Sequence, residues 1–202
     1  KLRDFALEQK LEDIPFERKI DSVGISPRPR YIDASSIADN ILEKLKTMHE
    51  KWSGEELILS KSYGLRYYLE GSTLEWHLDK VETHVVSGIL HIASEPDQDT
   101  EPWPLEIMGI DGKHHKVVLR PGQLLFYESA KLMHGRPSTY TGKWYTSVFL
   151  HYRPKKWNYR REYFGGMVPP DWDGSSELGY ELADAQVPGV VYHDTSARHD
   201  EL

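Results

Sequence analysis

Not one of the 202 residues is a cysteine. That absence excludes disulfides, thiol nucleophiles, zinc–thiolate sites and iron–sulfur clusters, so any metal has to be held by nitrogen and oxygen. Long apolar runs are missing too: no stretch approaches the roughly 18 apolar residues that a membrane-spanning helix needs. Nor is there a basic surplus. Lys and Arg number 25 against 32 Asp and Glu, whereas a nucleic-acid binder concentrates positive charge, so nucleic acid is not an expected partner. The imbalance is local. Residues 169–202 hold eight acids and one arginine, so this stretch alone carries the net −7.

An apolar content of 39% with 11% aromatics is enough for one substantial core. Residues 1–168 are read as a single domain, with helical N-terminal support over about 1–55 and a β core over about 62–153. Residues 169–202 are read as an acidic, irregular C-terminal tail. A short helix is expected near Asp4 to Leu11. A longer one is expected over 36–52, where Ser36-Ile37-Ala38-Asp39 has a capping-box pattern and Ile37, Ile41, Leu45, Met48 and Trp52 form an apolar stripe. Ser53-Gly54 ends it. From Ser62 onward short β-rich runs follow at 63–69, 75–79, 84–93, 105–110, 114–120, 123–128 and 143–152. Asp111-Gly112 supplies a hairpin turn and Pro121-Gly122 a type II turn. Many short strands separated by turns indicate a mainly β jelly roll with flanking helices.

Within this frame the histidines and acids are unevenly placed. In Glu75-Trp76-His77-Leu78-Asp79, strand alternation puts His77 and Asp79 on one face. His134 follows 55 residues after Asp79, and Lys143 nine residues after that. Two imidazoles and a carboxylate are the ligand set that leaves open positions on ferrous iron. Taken alone, His-x-Asp in a chain with ten histidines also fits a surface turn or a strand edge. The run 143–152 is apolar on both parities, as in a strand buried on both faces. Lys143 then points into the barrel, where it needs an anionic partner; a lysine at a strand end also reaches water by snorkelling. Arg153, Lys155, Lys156, Arg160 and Arg161 among aromatics read as a solvated face.

Leu65-Arg66-Tyr67-Tyr68-Leu69-Glu70-Gly71, His77-x-Asp79 with Thr83, Leu119 to Tyr127, and His134-Gly135-Arg136-Pro137 leading to Gly142-Lys143-Trp144 together resemble the catalytic domain of prolyl 4-hydroxylases. The resemblance covers roughly residues 62–153. It implies a double-stranded β-helix (cupin-like jelly roll) and an Fe(II)- and 2-oxoglutarate-dependent dioxygenase that hydroxylates a peptidyl residue, proline first. O2 is the other co-substrate and ascorbate the reductant. It makes His77, Asp79 and His134 the iron ligands, and Lys143 and Tyr68 the contacts to the far carboxylate of 2-oxoglutarate. The chain departs from the family at Pro102 to Ile107, which replaces a Gly-Gly-Glu-Thr segment, and Lys143 comes one residue early. Glu95, Asp97, Asp99 and Glu101 make the adjoining rim acidic and suited to basic peptides. The same chemistry on lysine, another side chain or a small molecule stays open. So does a non-catalytic jelly-roll binding module; a two-histidine zinc hydrolase is disfavoured by the absence of a metalloprotease-type glutamate.

The final His199-Asp200-Glu201-Leu202 matches the signal by which a retrieval receptor returns proteins to the endoplasmic reticulum. A lumenal location is therefore expected, with a leader either removed ahead of Lys1 or left out of this sequence. The lack of cysteine is permitted in an oxidising lumen, though disulfides are common there.

Overall fold

The computed structural model describes residues 1–21, 24–95, 101–109 and 112–157. The expected hairpin at Asp111-Gly112, most of the basic–aromatic stretch and the acidic tail with its terminal tetrapeptide lie wholly or partly outside the described residues.

Two five-stranded antiparallel sheets form the body. Helix α1 (Leu2–Glu8), strands β1 (Ile25–Ser26) and β2 (Arg30–Tyr31), and helix α2 (Ser35–Ser53) come first. Strands β3 (Leu57–Leu69), β4 (Thr73–His77), β5 (Val86–Glu95), β6 (Leu105–Met108), β7 (His114–Val117), β8 (Leu124–Tyr127), β9 (His134–Arg136) and β10 (Trp144–Pro154) follow. The larger sheet runs β2-β3-β10-β5-β8 and the smaller β1-β4-β9-β6-β7. Consecutive strands therefore alternate largely between facing sheets, which is the double-stranded β-helix. No helix among the described residues is long and apolar enough to cross a membrane.

Central strand β10 pairs with β3 on one side and β5 on the other, and its alternation divides the core. Trp144, Val148, Leu150 and Tyr152 join Ala6, Ala38, Leu42 and Tyr67 under the helices. Tyr145 and Phe149 face inward with Tyr68, Ile89, Trp103, Leu105, Ile107, Tyr127 and Tyr140. The run 144–152 is thus buried on both faces, as its composition implies, while Lys143 at its start is exposed.

Several local expectations need correction. Helix α2 begins at Ser35, and its N-cap, Ala34, makes no side-chain cap. Asp33 Oδ1 instead accepts from the Ser35 backbone N–H at 3.0 Å, an Asx-type start in place of the capping box. The buried face of α2 is Ala38, Leu42 and His49, while Ile37, Met48 and Trp52 are exposed. The stripe is rotated because the small Gly88 opens a seat for His49: a Cβ at Gly88 would meet His49 Nε2 at 2.6 Å. Strand β4 ends at His77, so Asp79 lies on the following loop and not on the same strand face. At Pro121-Gly122 the turn is as expected, with Gly122 at φ +87° and the Gln123 N–H donating to Arg120 O.

Candidate metal centre

Strands β4 and β9 lie side by side with His77 directly opposite His134. Gly135 makes that approach possible, because a Cβ there would meet the Glu75 and Leu74 carbonyl oxygens at 2.9 and 3.0 Å. The chain then leaves β4 and turns back, and the Asp79 N–H donates to Ser129 O at 2.9 Å. This bond brings the carboxylate under the two rings. His77, Asp79 and His134 each offer a ligand atom, and these atoms all lie within 4.8 Å of one another. His77 Nε2 is 3.7 Å from Asp79 Oδ1, and His134 Nε2 is 4.0 Å from Asp79 Oδ2.

Both imidazoles are oriented from behind. His77 Nδ1 lies 2.8 Å from Glu75 O, and His134 Nδ1 lies 2.8 Å from Leu132 O. A carbonyl only accepts, so each Nδ1 carries a proton, which leaves Nε2 as the ring atom that faces the carboxylate. Burial, with His77 beside it, lowers the His134 pKa to about 4, so this ring is neutral and available as a ligand at ordinary pH. Burial acts to raise the Asp79 pKa, but His134, His151, His77 and His84 around it outweigh that effect and hold it at about 2. Nitrogen, nitrogen and ionised oxygen converging within 4.8 Å, from half-buried His77 and Asp79 and buried His134, fit a divalent iron-type ion.

A hydrogen-bonded wall that sequence reading missed stands beside Asp79. His151 Nδ1 is 2.7 Å from Ser87 Oγ, which is 2.6 Å from Ser129 Oγ, and Ser129 Oγ donates to His84 O at 2.8 Å. The His84 and His151 rings pack at 3.9 Å, tilted by 43°, and burial drives the His151 pKa well below its usual value. The signal for His151 was available, since it shares strand parity with Tyr145 and Phe149.

The remaining expected site residues separate. Tyr68 is buried in the inner cluster, 5.1 Å from the Trp103 ring, while Tyr67 faces the helices and its hydroxyl donates to Ala6 O at 3.2 Å. Lys143 departs from the inward orientation expected for it. Its side chain is 57% exposed and its Nζ is 2.9 Å from Glu95 Oε1, while Glu95 Oε2 also accepts from Trp144 Nε1 at 2.7 Å. The physical reason is position: β10 begins at Trp144, so Lys143 precedes the strand, where snorkelling to an acidic neighbour avoids burying its charge. Glu95 is thereby engaged, and Asp97 and Asp99 lie outside the described residues.

No protein-family model matches the chain, and no curated protein matches it in sequence. Its three-dimensional structure is similar to a prolyl-4-hydroxylase from Pseudomonas putida, with TM-score 0.54 and 19% identity over 76% of this chain and 86% of that one. It is similar to HygX from Streptomyces hygroscopicus with nickel and 2-oxoglutarate bound, at TM-score 0.50 and 16% identity over 77% and 80%. A prolyl hydroxylase from Trichoplax adhaerens, in complex with a peptide fragment of the hypoxia inducible factor oxygen degradation domain, matches at TM-score 0.51 and 14% identity over 77% and 76%. The chain has the double-stranded β-helix fold of prolyl hydroxylase and 2-oxoglutarate oxygenase structures.

Proposed function

We propose that this protein is an Fe(II)- and 2-oxoglutarate-dependent dioxygenase that hydroxylates a peptidyl residue, proline foremost, in the lumen of the endoplasmic reticulum. The observation that carries the chemistry is the convergence of His77, Asp79 and His134 within 4.8 Å on this fold. Bound iron supplies the one-electron and oxygen chemistry that side chains lack, coupling decarboxylation of 2-oxoglutarate to hydroxylation of a C–H bond. The chain supplies position and environment. Glu75 O and Leu132 O hold the two rings with Nε2 forward, and Ser129 fixes the Asp79 loop. Tyr127, kept neutral by burial, packs edge-on against His134 at 4.9 Å. Ascorbate is the reductant this reading calls for, and the peptide bound to the Trichoplax enzyme supports a peptide substrate.

Anaerobic addition of Fe(II) and 2-oxoglutarate should produce a charge-transfer absorption, and admission of O2 should yield succinate. His134→Ala should lose both. Absence of both from the unaltered protein would sink the oxygenase reading and favour a binding module. Mass spectrometry of proline-containing peptides, searching for one added oxygen atom that depends on 2-oxoglutarate, identifies the substrate class. A gain on lysine or on a small molecule instead would replace proline.

The lumenal location rests on His199-Asp200-Glu201-Leu202. A secreted reporter carrying this tail should be retained in the cell and released when the four residues are deleted; equal release of both forms would remove the location.

A further inference from the structure

Among the described residues two buried guanidiniums stand in the β core, and only one of them has a carboxylate partner there. Arg66 is paired with Glu17, its Nε and Nη2 donating to the two carboxylate oxygens at 2.8 and 2.7 Å. Arg136 is 3% exposed and has no carboxylate partner among the described residues. Its Nη1 donates to Trp103 O, its Nη2 to the Tyr145 hydroxyl at 3.4 Å. Its Cζ lies 4.4 Å from the centre of the Trp103 ring and 4.8 Å from that of Tyr145. Two rings and two neutral acceptors orient the guanidinium but leave its charge uncompensated, which is costly in a buried site.

Arg136 is two residues after His134 on β9, on the same strand face and about 6.6 Å farther along. That is roughly the span from the chelating end of a five-carbon 2-oxo diacid to its far carboxylate. Other donors share this wall. Ser147 Oγ, on the inward parity of β10, is buried without a hydrogen-bond partner among the described residues. Tyr68 sits across from Tyr145 in the sheet and edge-on to Trp103, and its hydroxyl makes no hydrogen bond among the described residues. A guanidinium, a phenol and a free hydroxyl together match one carboxylate.

We propose that Arg136, assisted by Tyr68 and Ser147, holds the distal carboxylate of bound 2-oxoglutarate, and that Lys143 does not. This rests on the oxygenase reading and reassigns the anchor within it. Lys143 instead acts at the rim, where it ties Glu95 to the start of β10. Trp103, in the segment where the chain leaves the family pattern, becomes part of the anchor through its carbonyl and its ring.

The test is calorimetry on Zn(II)-loaded protein without oxygen, titrating 2-oxoglutarate and, separately, pyruvate, which chelates alike but lacks the distal carboxylate. Arg136→Gln should weaken 2-oxoglutarate roughly a hundredfold and leave pyruvate unchanged, while Lys143→Gln changes neither by more than about threefold. Loss of 2-oxoglutarate preference in Lys143→Gln and its retention in Arg136→Gln would overturn the assignment. If Arg136→Gln does not fold, Tyr68→Phe and Ser147→Ala carry the test: a selective loss for 2-oxoglutarate supports the anchor, and no change in either variant overturns it. Should the unaltered protein bind Zn(II) but neither acid, the oxygenase reading itself fails. Tight 2-oxoglutarate binding that Arg136→Gln leaves intact removes the anchor alone.

Discussion

The two faces of β10 are built from the same kinds of residue and do different work. On the helix side Trp144, Val148, Leu150 and Tyr152 are buried apolar or aromatic groups, and the polar atom of Tyr152 is satisfied by Leu42 O at 2.7 Å. On the inner side Tyr145, Ser147, Phe149 and His151 include an orphaned hydroxyl and a histidine held neutral by burial. Unsatisfied and titratable groups are costly in a core. Both sides carry them, Thr146 Oγ1 and His49 Nε2 on the helix side and Ser147 Oγ within, so the inner face is set apart by its neighbours: His151 acts on the Asp79 carboxylate and Tyr145 contacts Arg136, while the helix side packs on α1 and α2.

Truncations on either side test that division most strongly. Leu150 is fully buried under α2, so Leu150→Ala should cost about 2–5 kcal/mol in denaturant unfolding of the metal-free protein. Zn(II) affinity of the molecules that remain folded should be unchanged. The ligand variant His134→Ala should reverse the pattern, removing Zn(II) binding at little cost to unfolding. If Leu150→Ala weakened the metal site as much as it weakened the fold, the two faces would be coupled and the division wrong.

What the sequence made legible follows the same line. Strand parity separated Tyr68 from Tyr67 and the inner from the outer residues of β10, because a period of two survives wherever both faces are buried. The three candidate ligand residues were legible by type and order. Their meeting was not, since it depends on the Asp79 loop folding back onto Ser129, a non-local contact with no periodic trace. Helix α2 was legible in extent, but its buried face was misread by one position, because His49 packs on Gly88, Phe126 and Tyr152 and a histidine does not read as core. Lys143 was misread for a related reason: alternation gives the face of a strand residue but not where the strand begins. Arg136 was passed over as part of a motif, since a missing counter-charge is visible only once its neighbours are in place.

A smaller effect sharpens the comparison through two buried histidines. His49 sits on the helix side and His91 on the inner side, stacked on Tyr145 at 3.9 Å. Burial lowers both. For His91 the Thr146 carbonyl, 3.1 Å from Nδ1, partly opposes the drop and Arg136 adds to it, leaving the ring at about 4. Between that value and the 6.5 of an unfolded histidine, the unfolded chain binds more protons. The stability His91 confers is therefore complete above pH 6.5, falls as pH drops through this window, and is gone below about 4. Its size is on the order of 3 kcal/mol at most. His91→Phe keeps the stack on Tyr145 and removes the titration, so metal-free protein carrying it should lose less stability between pH 6.5 and 4 than the unaltered chain. Part of the slope should persist through His49, His84 and His151, which burial also depresses. An identical slope in both proteins would mean that His91 is not held neutral, and that the inner face tolerates a second positive charge beside Arg136. The Arg136 anchor argues against this, because two uncompensated cations around one ring pair would repel unless an anion lay between them.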